Sequence, residues 1–282
     1  MIKHKEKTHN NKSDLVKNRL FGVDITNETP EKILEYIVQH LNTSVPPYYI
    51  VTPNPEIITF SARHKELQAI LNNAKIALCD GIGVVIAGWI LGKPFKERFT
   101  GVDFMERLCK RIADRPITVG FLGGRDNVAE KASECLRHKW PQLKVAYVSQ
   151  EWEEEGFIFT ERFTQIEKRI YTDTIRENLS KNPRKSLRHI DVLFVAFGFP
   201  KQEEWMSAHV GKIPVRVLVG VGGAFDQIVS PSLRPPQAVQ QIGLGWLYRL
   251  IRQPWRWRRQ LALLEFMWMV LKKRINTHAL RS

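Results

Sequence analysis

The stretch Lys75-Ile76-Ala77-Leu78-Cys79-Asp80-Gly81-Ile82-Gly83-Val84-Val85-Ile86-Ala87 sets two apolar runs on either side of an acidic, glycine-bearing turn. It reads as a buried strand that stops at Asp80 and gives way to a helix from Ile82, a β-α unit. In an open α/β sheet, ligands bind beyond the carboxyl ends of the strands, and Asp80 falls at such an end. An unpaired buried carboxylate is costly, so packing alone does not select Asp here. The plain structural alternative is a helix cap, a role Asp fills often.

The same alternation extends outward from Phe21 to Val219. Phe21 to Ile25, Tyr48 to Val51, Thr118 to Leu122, Val145 to Val148, Asp191 to Phe197 and Val215 to Val219 are predicted strands. Asp191 to Phe197 and Val215 to Val219 are apolar almost throughout, as parallel strands buried on both faces are. Predicted helices run from Thr29, a cap followed by Pro30, to Leu41, and over Arg63 to Asn73, Ile82 to Leu91 and Val128 to Trp140. Glu151 to His189 is highly charged and predicts a solvated surface helix from Thr160 to Leu179, then a loop at Asn182-Pro183.

At 282 residues and 43% hydrophobic composition, the chain can bury one sizeable α/β core with an appendage. Three separated cysteines, Cys79, Cys109 and Cys135, suggest neither a disulfide framework nor a zinc site. Met1 to Asn18 is rich in Lys and Asn without an apolar run, which argues against a secretory signal and for disorder. The expected division is a disordered basic leader over 1–20, an α/β domain over 21–242 and a basic appendage over 243–282.

A net charge of +14 calls for an anionic partner: nucleic acid, a membrane surface or phosphorylated substrates. From Gly245 onward nine basic residues face Glu265 alone, so +8 of the +14 lies at one end. There Trp246, Leu247, Leu250, Ile251, Trp255 and Trp257 interleave with Arg249, Arg252, Arg256, Arg258 and Arg259 before the mostly apolar Leu261 to Leu271. That run falls short of the ~20 residues needed to span a bilayer, and it suits a helix lying in an anionic membrane surface. A helix docked on the domain with solvated arginines is the alternative. Single-stranded nucleic acid is disfavoured, because no helix-turn-helix, zinc-finger or RNP signature accompanies the basic patch.

Four strand-end clusters carry the chemistry. Thr52-Pro53-Asn54-Pro55-Glu56 presents a hydroxyl and an amide from a proline-fixed turn, although both could serve the turn's own backbone. Asp80-Gly81-Ile82-Gly83 is the second. Gly198-Phe199-Pro200-Lys201-Gln202-Glu203-Glu204-Trp205 opens a helix with Gln202 and Glu203 in its first turn, suited to a base edge, a hydroxyl or simply the helix dipole. Gly220-Val221-Gly222-Gly223-Ala224-Phe225-Asp226 is a glycine loop suited to close approach by a diphosphate. No complete dinucleotide or P-loop fingerprint occurs, and no Asp-x-Asp pair occurs, so neither a cofactor nor a metal site is assigned.

In order and spacing these clusters, with Glu97-Arg98-Phe99-Thr100-Gly101-Val102-Asp103, Phe121-Leu122-Gly123-Gly124 and Gly243-Leu244-Gly245-Trp246-Leu247-Tyr248-Arg249-Leu250, resemble the WecG/TagA/CpsF family of bacterial glycosyltransferases over about Phe21 to Gln260. The resemblance implies a Rossmann-like, mostly parallel sheet with helices on both faces and a membrane-associating helical appendage. It implies transfer of a sugar, N-acetylmannosamine or a related hexose, from a UDP-sugar to a polyprenyl-diphosphate-linked acceptor at the cytoplasmic membrane face. The chemistry would be inverting and metal-independent, serving teichoic acid or other surface polysaccharide. Asp80 matches the family's proposed base and Thr52 its active-site threonine. Asn54, Arg98 and Gln202 fall on site-lining positions, with Thr100, Gly123, Gly124, Glu203, Gly222, Gly223 and Asp226 beside them and Arg249 and Arg256 supplied by the appendage. Gly245, Gln253, Ser230 and Pro235 depart from the family pattern, all in or near the appendage. A homo-oligomer is compatible with the same sequence. The rival readings are a non-enzymatic basic membrane- or nucleic-acid-binding protein and, less well supported, a nucleotide-dependent oxidoreductase.

Overall fold

The computed structural model describes residues 15–150, 190–236, 238–239, 244–254 and 257–279. The expected helix from Thr160 to Leu179 and the loop at Asn182-Pro183 lie outside them. The described chain opens with an antiparallel hairpin, β1 (Lys17–Leu20) and β2 (Val23–Thr26), turning at Phe21-Gly22. The leader assigned to 1–20 therefore ends in a strand, which corrects that boundary. Leu20 is buried, and Asn18 donates from its amide to the carbonyl oxygens of Lys93 and Pro94 at 3.3 and 3.0 Å, so long-range contacts override the segment's polar composition. Phe21, expected within a strand, occupies the turn instead.

Among the described residues the main sheet has six strands: β3 (Tyr48–Val51), β4 (Ile76–Ala77), β5 (Thr118–Gly123), β6 (Lys144–Ser149), β7 (Ile190–Ala196) and β8 (Val215–Gly220). Their order is β4-β3-β8-β7-β5-β6 and every pair is parallel. Phe121, Phe194 and Val219 are in register and point to one face, where α1 (Pro30–Leu41), α5 (Gly101–Ile112), α6 (Val128–Lys139) and α8 (Ala224–Val229) pack. Their neighbours Leu122, Val195 and Leu218 point to the other face, which holds the hairpin with α2 (Pro55–Ser61), α3 (Lys65–Asn73), α4 (Ile82–Ile90) and α7 (Lys201–His209). Burial on both sides is why these strands read as unbroken apolar runs.

Local chemistry accounts for the helix starts. The Thr29 hydroxyl caps α1 by accepting from the Lys32 N–H at 3.4 Å, with Pro30 in the first turn. In the same way Asn54 caps α2 and Pro55 begins it, so the segment that suggested only a turn in fact starts a helix.

The described appendage comprises α9 (Gly245–Arg252) and α10 (Trp257–Ala279). Among the described residues no helix is long and apolar enough to cross a membrane. Helix α10 docks on α2 and α4 through buried Phe266 and Val270. The Phe266 ring meets Phe21 edge-on at 5.7 Å, Lys273 lies 5.1 Å above Phe21, and Glu265 pairs with Arg63. The docked-helix alternative thus describes one of its faces. Phe266→Ala is expected to destabilise the chain by about 3 kcal/mol in equilibrium denaturation, as truncation of a buried aromatic does; a loss below ~1 kcal/mol would contradict this docking.

Candidate functional site

Because all six strands run the same way, the loops after them gather along one edge. The β3 and β4 ends are joined first: the Leu78 N–H donates to the Val51 carbonyl at 2.8 Å, which continues the pairing past β4 and carries Leu78 alongside Thr52, two residues before Asp80. Asp80 lies one residue before the cap of α4. The cap itself is Gly81, at φ +94°, a conformation that favours glycine. Pro55 packs against this turn, 3.4 Å from where a Cβ on Gly81 would stand.

Arg98 reaches the same place from the next loop, where the Phe99 N–H donates to the Cys79 carbonyl at 2.9 Å. Burial pushes the Cys79 thiol up to about 12, the Asp80 charge adds to the rise and the Arg98 charge opposes it, so carboxylate and guanidinium both act on one buried group. Glu28 braces this loop from below. Its buried carboxylate accepts from Lys96 and Lys32, both at 2.6 Å, and stays below the usual carboxylate range because these bonds outweigh its desolvation.

On the other side of β3, the buried Thr52 hydroxyl donates to the Gly220 carbonyl at 3.2 Å, locking the β3 and β8 ends together. Thr100 caps α5 by accepting from the Asp103 N–H at 3.2 Å. A Cβ on Gly101 would stand 3.5 Å from the Thr52 methyl and 3.4 Å from the Val221 carbonyl oxygen, so the start of α5 lies close against both loops.

Gln202 is a brace between α7 and the glycine loop. Its buried amide oxygen accepts from the Gly222 N–H at 2.9 Å, and its amide nitrogen donates to Glu203 at 3.1 Å. In this state the Gly222 N–H is committed to Gln202, while Gly223 and Asp226 face solvent at the start of α8. Gly123 and Gly124 close β5 beside β7 at φ +100° and +83°, and a Cβ on Gly123 would stand 2.8 Å from the Ala196 carbonyl carbon. Chain packing alone requires both. The structure thus draws Thr52, Asn54, Asp80, Arg98, Thr100, Gln202, Glu203, Gly222, Gly223, Gly123 and Gly124 to one edge, with Asp226 in the adjoining first turn of α8. Arg256 and the Arg249 side chain lie outside the described residues.

Arg234 was not apparent from the sequence. Its guanidinium spans Asp103 at 2.5 Å and Glu106 at 2.6 Å, fastening the segment before the appendage to the first turns of α5. Asp103 and Glu106 stand three and six residues after Thr100, but nothing in that spacing pointed to Arg234 as their partner.

Glu203, a substrate-binding candidate whose plain alternative was placement against the helix dipole, is fully buried, and among the described residues its Oε2 has no hydrogen-bond partner. Burial pushes its carboxyl up to about 7 from an ordinary 4.5. The unfolded chain therefore releases this proton first. Stability from the group is fully present below about pH 4.5 and is lost as pH rises to about 7. Glu203→Gln cannot ionise, so it should be more stable than the parent at pH 8, by up to ~3 kcal/mol, with little difference at pH 4. Chemical denaturation at both pH values measures this, and an equal difference at both would contradict the assignment.

Among the described residues no three His, Cys, Asp or Glu side chains gather as they would around a metal ion. The sequence matches the Glycosyl transferase WecG/TagA/CpsF family over residues 18–280. It is 29% identical over 262 residues to the N-acetylglucosaminyldiphosphoundecaprenol N-acetyl-beta-D-mannosaminyltransferase of Staphylococcus aureus strain MRSA252, covering 93% of this chain and 94% of that one. The protein of the same name from strain MW2 gives the same identity and coverage. With an all-parallel sheet that gathers the motif residues on its carboxyl edge, and a match across nearly the whole chain, this protein belongs to the WecG/TagA/CpsF family and is a glycosyltransferase.

Proposed function

We propose that this protein transfers N-acetylmannosamine, or a related hexose, from a UDP-sugar to a polyprenyl-diphosphate-linked sugar, with inversion and without a metal. The observation that carries the reading is the meeting of Asp80, Thr52, Arg98 and the Gln202-braced glycine loop at one sheet edge, in a chain that matches the family over residues 18–280. The names of the Staphylococcus aureus relatives supply the sugar and the class of acceptor.

In this mechanism Asp80 accepts the proton of the acceptor hydroxyl as its oxygen attacks the anomeric carbon. The bond from that carbon to the diphosphate oxygen breaks on the opposite face, UDP leaves with the electron pair, and the configuration inverts. Arg98 and the appendage arginines Arg249 and Arg256 offset the charge growing on the diphosphate, with loop amides as further donors. Thr52 holds the β3 and β8 ends in register beneath the sugar, and Asn54 keeps the adjoining helix start in place. The acceptor's lipid places the reaction at the cytoplasmic membrane face, where the basic appendage meets anionic headgroups, and a teichoic acid or related surface polysaccharide is the product.

The full chain, supplied with UDP-N-acetylmannosamine and a polyprenyl-diphosphate-linked N-acetylglucosamine, is expected to form the disaccharide lipid. An excess of chelator should leave the rate unchanged. Asp80→Asn should lower turnover by about 10²–10⁴-fold, the usual contribution of a placed general base, with UDP affinity nearly unaltered. Near-normal turnover of Asp80→Asn would remove Asp80 as the base.

A further inference from the structure

Helix α4, which begins two residues beyond Asp80, has no polar side chain: its sequence is Ile82-Gly83-Val84-Val85-Ile86-Ala87-Gly88-Trp89-Ile90. Gly83, Val84, Ala87 and Gly88 are buried, but Ile86 is 40% and Trp89 76% exposed. Trp89 is the most exposed large apolar side chain among the described residues. Helices apolar all round belong in a core or against lipid, and α4 is only half in the core.

Helix α10 packs beside it, with Leu263 3.3 Å from where a Cβ on Gly83 would stand. The face of α10 turned from the domain carries Trp257, Leu261, Leu264, Trp268, Leu271 and Ile275, each between 48% and 69% exposed. The spacing of four and three residues keeps these side chains in one stripe. Two neighbouring helices thus each present an uncovered apolar face.

We propose that the outward faces of α4 and α10 together form a docking surface for an anionic lipid bilayer, so that the catalytic domain itself, through Trp89 and Ile86, enters the interface. The inference rests on the lipid-linked acceptor argued above and extends the contact beyond the appendage. The charges beside the stripe select this occupant. Lys272 and Arg274 are exposed next to Leu271 and Ile275, while Glu265, the only acid on α10, is paired with Arg63. Tryptophan at headgroup depth with cations alongside is the composition of an interfacial surface.

A second copy of the chain fits less well. With Trp257 and Leu264 taken as d positions, in-register parallel pairing sets Gln260 against Glu265 and Met267 against Lys272, so no flanking pair joins opposite charges. Met267 is moreover packed against the domain, which leaves that flank closed to a partner helix.

Co-sedimentation of the full chain with vesicles tests the proposal. Binding is expected to vesicles of equal parts phosphatidylglycerol and phosphatidylcholine, and to be much weaker with phosphatidylcholine alone. Trp89→Ser should lower the partition coefficient about tenfold, as loss of a large buried apolar side chain does, and Trp89→Phe should restore most of it. An unchanged denaturation midpoint for Trp89→Ser shows that the loss is not misfolding. Undiminished vesicle binding by Trp89→Ser would overturn the proposal, as would a lipid-free dimer that Trp89→Ser converts to monomers. Transfer to a water-soluble acceptor is read separately: a chain that binds vesicles through Trp89 but transfers nothing upholds the docking and refutes the proposed reaction.

Discussion

The parallel register of the sheet is the constraint on which the rest of this molecule depends. Strands that all run the same way must place their carboxyl ends together, and each turn that leaves them can then contribute to one site. Two bonds fix that edge: the Leu78 N–H to Val51, which extends β4 toward Asp80, and the Thr52 hydroxyl to Gly220, which ties β3 to β8. Because both faces of the sheet are buried, slipping a strand by one residue would exchange its two apolar sets and misplace every strand-end residue.

Around that edge, charged and polar side chains act mainly on one another. Glu28 holds the loop that carries Arg98, Gln202 holds Gly222, and Arg234 holds the segment leading to the appendage against α5. Each joins elements distant in sequence, so the site geometry is set by tertiary contacts rather than by loop sequence alone. Glu203 stands apart, a carboxyl kept in an apolar setting behind the Gln202 amide, where its ionisation works against the fold.

Much of this was legible in the sequence because the signals were local. The apolar runs marked the parallel strands, Thr29-Pro30 marked the start of α1, and Asp80-Gly81 marked the turn into α4. The misses have physical causes. Pro53 and Pro55 suggested only a turn, yet Pro55 is welcome in the first turn of α2, where its missing N–H leaves nothing unsatisfied. The hairpin strand Lys17–Leu20 is polar in composition and is held by contacts to residues far along the chain. The burial of Glu203 and the double ion pair of Arg234 depend on packing that no spacing rule encodes. Helix α10 has two apolar faces, so composition alone could not separate docking from lipid contact; the structure assigns Phe266 and Val270 to the domain and leaves the opposite stripe outward.

The central claim is that these strand ends form a single donor site with Asp80 at the reacting carbon. The structure of the full chain bound to UDP tests it most directly. The diphosphate should lie over the loop from Gly220 to Gly223 within reach of Arg98, with the β-phosphate pointing toward Asp80. A nucleotide bound elsewhere on the chain, or one whose diphosphate is turned away from Asp80, would contradict the account.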